Sequence, residues 1–158
     1  MTDTGNHFAE LKETQKRGQA TEALLKAEFV VRDIPVLVPE YDNEPYDFVV
    51  EIDDSFYKIQ AKTAYPDANN ETVYFETVST RARSDGYVRS GYEEAIDFFA
   101  VHNPELGEYY LIPIEEAADG KMQIRFVEPK NNQRKGINWH EDYLIDAVLS
   151  SLRTVKVD

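Results

Sequence analysis

The sequence predicts an α/β fold in which helices flank a mixed β-sheet, with an α+β sandwich as the neighbouring alternative, in one domain spanning residues 1–158. Three observations point there. An opening segment repeats at helical spacing, a middle run of short segments alternates with period two, and a closing segment returns to helical spacing. In the first, Phe8, Leu11, Gln15, Gly18, Glu22, Leu25 and Phe29 fall three and four apart, the stripe of one long helix with a kink at Gly18. That helix should stop near Asp33-Ile34-Pro35, because the residue before a proline avoids helical geometry. Val36 to Pro39 reads as a short strand, and Tyr41 to Pro45 as a polar turn. Tyr46 to Thr63, YDFVVEIDDSFYKIQAKT, reads as a β-hairpin. Thr72 to Thr80 is rich in strand formers, and Thr80 to Gly91 is a polar loop. Asp97 to His102 and Glu108 to Ile114 are two further strands, and Lys121 to Val127 alternates with Met122, Ile124 and Phe126 on one side. Tyr143, Leu144, Ala147, Val148 and Leu152 mark a closing helix that begins at Trp139.

Composition narrows the function classes. With 17 basic and 30 acidic residues the net charge is −13. Either an acidic partner-binding surface or a proteome kept hydrated at high salt explains such a balance. The acids are scattered through the chain (Asp3, Glu28, Asp42, Glu71, Glu94, Glu116, Glu141), which favours a halophilic setting over an interaction tail. No cysteine is present, so disulfides and thiolate metal sites are excluded. His7, His102 and His140 are too dispersed for a zinc site and are expected to be surface or structural groups. No segment approaches the ~20 apolar residues of a membrane span. The chain is therefore expected to be cytoplasmic, without membrane association.

The hairpin carries the chemistry. On its second strand Lys58, Gln60 and Lys62 share one face, and on its first Asp47, Val49 and Glu51 do. An Asp54-Ser55 turn sets Asp47 across from Lys62, whereas an Asp53-Asp54 turn sets it across from Gln60. Either register gathers Asp47, Gln60 and Lys62. Two readings stay open at this level: a solvated face with cross-strand ion pairs, or a polar site. Glu22 bears on the choice, because it sits in the stripe that buries Phe8, Leu11, Leu25 and Phe29, where an unpaired carboxylate is costly. A cation, a metal-bound water or Lys62 should meet it.

Glu22, Pro45-Tyr46-Asp47 and Gln60-Ala61-Lys62, in that order, resemble the PD-(D/E)XK nuclease superfamily. The likeness is greatest to small homing endonucleases associated with group I introns, in which glutamine replaces the third acidic residue. It runs from about Lys16 to Ile114, through GQATE, NEPYDFVVEI, YKIQAKT and GYEEAIDFFAVHNPELGEYYLIPI. The resemblance implies a restriction-endonuclease-like fold and a metal-dependent DNA endonuclease. A Holliday-junction resolvase-like or repair nuclease, and a nuclease-derived DNA-binding module without catalysis, are the alternatives. It further implies that Asp47, Gln60 and the Ala61 carbonyl ligate Mg²⁺, with Mn²⁺ as a substitute, and that Glu22 acts as a second ligand or through a metal-bound water. Lys62 is implied to orient or deprotonate the attacking water and to offset phosphate charge. The neutral Gln60 favours one metal over two.

Double-stranded DNA is the implied partner, and a charge of −13 makes cation placement decisive. Arg81, Arg83 and Arg89 fall in the segment Thr80 to Gly91, and Lys130, Arg134 and Lys135 in a segment without acids. Both are candidate DNA contacts, and both are also readable as solvated loops. Cutting both strands of a duplex needs two sites, so a homo-oligomer, a dimer or tetramer, is expected, with Trp139 a candidate packing anchor.

Overall fold

A computed structural model describes residues 3–83, 86–91, 95–131 and 135–155. The central layer is a five-stranded mixed sheet in the order β1 (Val36–Leu37), β2 (Phe48–Ile52), β3 (Ser55–Thr63), β8 (Phe98–Asn103), β9 (Glu108–Pro113). Only the β3–β8 pairing is parallel. The crossover that makes it so contains β4 (Tyr65–Pro66), β5 (Thr72–Glu76), β6 (Val78–Arg83) and β7 (Gly86–Gly91). β4 and β5 join β10 (Lys121–Arg125) in a second sheet of three strands, and β6 pairs with β7 as a two-stranded ribbon. Within the segment Thr80 to Gly91 the described residues are thus paired strands and not a loop, and residues 84 and 85 lie outside the described residues. Thr80 pairs with Arg89, Arg81 with Val88 and Arg83 with Gly86.

Every residue of β8 is buried, as a strand covered on both faces requires. One face packs against α2 (Thr14–Val30) and α3 (Ile145–Val155), where Leu25, Phe29, Ile145 and Leu149 meet Phe48, Val50, Ile59, Ala100 and Leu111. The other face packs against the second sheet, where Val73, Phe75, Met122 and Ile124 meet Phe99, Val101, Tyr110 and Ile112. Helices therefore flank one side of the mixed sheet, and a small sheet covers the other.

The opening stripe is divided differently from its sequence pattern. α1 (Asp3–Glu10) and α2 are separate helices with a break at Leu11 to Glu13, and Gly18 lies within α2. α2 buries Thr21, Leu25 and Phe29, a spacing of four that leaves Glu22 beside the buried row and not on it. Its end is shaped as expected: Asp33, at φ 60°, turns the chain out ahead of Pro35. Arg32 then ties this corner to the closing helix, donating to both carboxylate oxygens of Asp146 (2.7 and 3.3 Å). That closing helix begins at Ile145. Trp139 precedes a 3-10 turn over His140–Tyr143, and Tyr143 and Leu144 pack against the small sheet's core instead of forming a helical stripe. In that corner His140 Nδ1 lies 2.7 Å from Glu108 Oε1, which also accepts from the buried Tyr110 hydroxyl.

The hairpin register is set by the turn at Asp53 and Asp54, both left-handed (φ 50° and 66°). Two consecutive residues with positive φ match the twist of the flanking strands. Phe48 accordingly faces Ile59, and Val50 faces Tyr57. An aspartate in this conformation is strained in a way glycine is not, so Asp54→Gly should stabilise the protein by about 0.5–1 kcal/mol. Urea denaturation would register this as a higher midpoint at unchanged slope.

Candidate active site

Asp47 stands one residue before β2, and continuing the register places it across from Gln60. Its N–H donates to the Ile59 carbonyl (2.8 Å), which keeps the backbone in the ladder. Its carboxylate reaches along the neighbouring strand, where Oδ2 accepts the Ala61 N–H at 2.8 Å. One residue on, Lys62 lies on the same face of β3 as Gln60 and lines a groove of about 320 Å³ shared with Gly18, Tyr65, Tyr74 and Glu76. Burial raises the Asp47 carboxyl above the ordinary carboxylate range against the Ala61 hydrogen bond, and the Glu22 charge raises it further while Lys62 and Lys26 lower it. Burial pushes the Lys62 ammonium in the opposite sense, below its ordinary value, while Glu76 and then Asp47 favour its charged form. Three acids (Glu22, Asp47 and Glu76) and two cations (Lys26 and Lys62) from four separate segments thus act on one another at the open end of the hairpin.

The cation that meets Glu22 is Lys26, one turn along α2, at 3.7 Å from Glu22 Oε2. Glu22 keeps about a third of its side chain exposed (32%), so it sits at the rim of the site and not in the core. Lys26 and Glu76 escaped the sequence reading for different reasons. Lys26 was visible as the i+4 partner of Glu22. Glu76 ends the alternating strand β5 with its side chain outward, and only the packing of the second sheet on the first brings it to Lys62.

Glu22 and Lys62 are tied to each other through their neighbours. The Thr21 hydroxyl, buried beside Glu22, shares a hydrogen bond of 2.7 Å with the Thr63 hydroxyl beside Lys62, and lies 3.2 Å from His102 Nδ1. His102 is itself buried, stacked on Tyr109 at 5.0 Å and edge-on to Phe8 at 4.8 Å. The hydroxyl pair fixes α2 against the strand, and His102 fixes the hydroxyl pair.

The candidate DNA contacts are more scattered. Arg81 and Arg83 lie on β6 and Arg89 on β7, in the ribbon. Lys130 and Lys135 are exposed on the segment after β10, where Lys130 lines a hollow with Arg125, while Arg134 lies outside the described residues.

Burial, with a smaller contribution from the Arg17 charge, lowers the His102 pKa from 6.5 to about 4. The unfolded chain therefore takes up a proton below about pH 6.5 that the folded chain refuses until about pH 4. The stability this neutral imidazole contributes is complete above that window and is lost as pH falls through it, by about 3 kcal/mol in all. Denaturant melts at pH 7 and pH 4 should show that His102→Asn loses less stability on acidification than the parent by about this amount.

The sequence model of the PD-(D/E)XK endonuclease family matches residues 12–146 of the chain. Among solved structures the fold is similar to that of a bacterial homing endonuclease, I-Ssp6803I, with a TM-score of 0.73 and 21% sequence identity over 92% of this chain and 98% of that one. No curated protein sequence matches the chain significantly. The family match covers the helix that carries Glu22, the Asp47 hairpin and the β8–β9 pair. The chain therefore belongs to the PD-(D/E)XK endonuclease family.

Proposed function

We propose that the protein is a divalent-metal-dependent endonuclease that hydrolyses phosphodiester bonds of double-stranded DNA. One observation carries the reading: the Asp47 carboxylate is held on the Ala61 N–H, across from Gln60 and beside the groove that receives Lys62. The residues that would hold the ion are Asp47, Gln60, the Ala61 carbonyl and Glu22, an all-oxygen set that suits Mg²⁺, with Mn²⁺ as a substitute. Asp47 fits such an ion, because its negative charge is disfavoured by burial and by Glu22, and a cation relieves both. Among the described residues no group of three or more His, Cys, Asp or Glu could hold a metal, so the set leans on the neutral oxygens of Gln60 and Ala61. That limits the negative charge of the site and favours one ion. A bound divalent cation supplies Lewis acidity toward a phosphate oxygen and a more acidic water.

The chain's own groups do the rest. The Lys62 ammonium sits in the groove with its pKa depressed by burial, which suits a group that must both offset phosphate charge and exchange a proton with water. Asp47 and Glu76 keep it charged until a proton is needed. Glu22, braced by Lys26, presents a second carboxylate at the rim. Among the described residues no helix is long and apolar enough to cross a membrane; the DNA on which the protein acts would be cytoplasmic. Cutting both strands would engage two copies of the site in a homo-oligomer.

Nicking of supercoiled plasmid in Mg²⁺ or Mn²⁺, at low and high salt, tests the reading. Lys62→Ala should lose at least about 100-fold in rate with its fold intact by circular dichroism. Asp47→Asn should be as inactive yet melt at or above the parental temperature, because it removes a charge that burial and Glu22 both disfavour. Unchanged nicking by either variant would overturn the assignment, and preference for four-way junctions over linear duplex would move it to a junction-resolving nuclease.

A further inference from the structure

We infer that the outer face of the small sheet, from Arg17 on α2 across Tyr65 and Tyr74 to Lys121, Gln123 and Arg125 on β10, is the surface that receives the sugar-phosphate backbone of duplex DNA. The choice of DNA as its ligand rests on the nuclease reading; the surface itself rests on the sheet. Val73, Phe75, Met122 and Ile124 point into the core, so alternation sends Tyr74, Lys121, Gln123 and Arg125 outward. The pairings of Tyr65 with Tyr74 and of Tyr74 with Gln123 put these side chains in rows across three strands. The two tyrosine rings are 6.2 Å apart: Lys121 Nζ caps the Tyr74 ring at 4.1 Å, and at the other end Arg17 Cζ is 5.7 Å from the Tyr65 ring, while also lying 4.9 Å from the buried Phe8 ring and donating to the Leu11 carbonyl at 3.3 Å.

Continuity with the reactive groove gives the face its partner. Tyr65 and Tyr74 also line the groove that holds Lys62, and Lys121, Gln123 and Arg125 line an adjoining depression of about 400 Å³. A strand held at Lys62 would therefore run directly onto this face. Five residues of extended chain, the length of β10, span about 17 Å, which matches about five phosphates at roughly 3.4 Å of axial rise per strand. Lysine, arginine, glutamine and tyrosine are the side chains that commonly donate to phosphate and sugar. In a chain of net charge −13, three cations on one face are a local reversal of sign. The nearby acids are Glu76, which pairs in register with Lys121, and Glu71, which binds Arg125 at 3.3 Å. The surface is thus only moderately basic, and its grip depends on hydrogen bonding as well as charge.

Binding without cleavage tests this. Asp47→Asn protein in a chelator would be titrated with a fluorescent 30-base-pair duplex by anisotropy, at several salt concentrations. Adding Lys121→Ala should weaken binding several-fold and lower the slope of log K against log salt by about one, and Lys121→Glu should weaken it more than tenfold. Lys121→Arg should restore affinity, and Arg153→Ala, on the opposite side of the central sheet, should change nothing. Parental affinity and slope in Lys121→Glu, or an equal loss in Arg153→Ala, would overturn the inference. Failure of the parent to nick any DNA while this pattern holds would overturn the nuclease reading and leave the surface standing.

Discussion

The bond from the Ala61 N–H to the Asp47 carboxylate depends on one choice of register, and the rest of the site follows from it. Side chains on a strand alternate with period two, so a slip by one residue would turn Gln60 and Lys62 toward α2 and send Ile59 and Ala61 the other way. Three features prevent the slip. The turn at Asp53 and Asp54 fixes the hairpin, the buried pair Phe48 and Ile59 anchors its core face, and Asp97 locks β8 alongside. Asp97 does this twice, accepting the Lys58 N–H on its carboxylate (2.8 Å) and donating its own N–H to the Lys58 carbonyl (2.9 Å).

β3 can bear a costly site because both its faces are packed. Leu25 and Phe29 press on one side through Ile59, and the small sheet closes the other around Phe99 and Val101. Between these cores the chain keeps a half-buried carboxylate and a half-buried ammonium whose burial works against the charge of each. Such groups are held at the expense of stability, as the proposed cation site would require. The shared hydrogen bond of Thr21 and Thr63 carries the same rigidity to the helix, so Glu22 and Lys62 keep their spacing although they are distant in sequence.

Much of this was legible in the residues. Local patterns set the strands: the alternation of Met122 and Ile124, the apolar runs at Phe98 and Tyr109, and the hairpin around Asp47 formed as their periodicity indicated, although β10 ends at Arg125, one residue short of Phe126. The register was narrowed to two choices, and the left-handed pair at Asp53 and Asp54 selected one. What local patterns could not carry is tertiary. Glu22 fell on a helical stripe by spacing, yet α2 buries the row Thr21, Leu25 and Phe29 at a spacing of four, which leaves Glu22 at the rim. Glu76, Tyr65 and Tyr74 look like ordinary strand residues until the second sheet folds over the first. The ribbon formed by β6 and β7 was hidden because serine, arginine and glycine lack the strand preference of β-branched and aromatic residues and read as loop.

These strands of sequence converge on a single physical claim, that the open end of the hairpin is a divalent-cation site with an ammonium group at its edge. Crystals grown with Mn²⁺ and measured for anomalous scattering test it most directly. A peak beside the Asp47 carboxylate and the Ala61 carbonyl, lost in crystals of Asp47→Asn, is the expected result. Full-occupancy manganese elsewhere with none at Asp47, or the same peak in the Asp47→Asn protein, would contradict it.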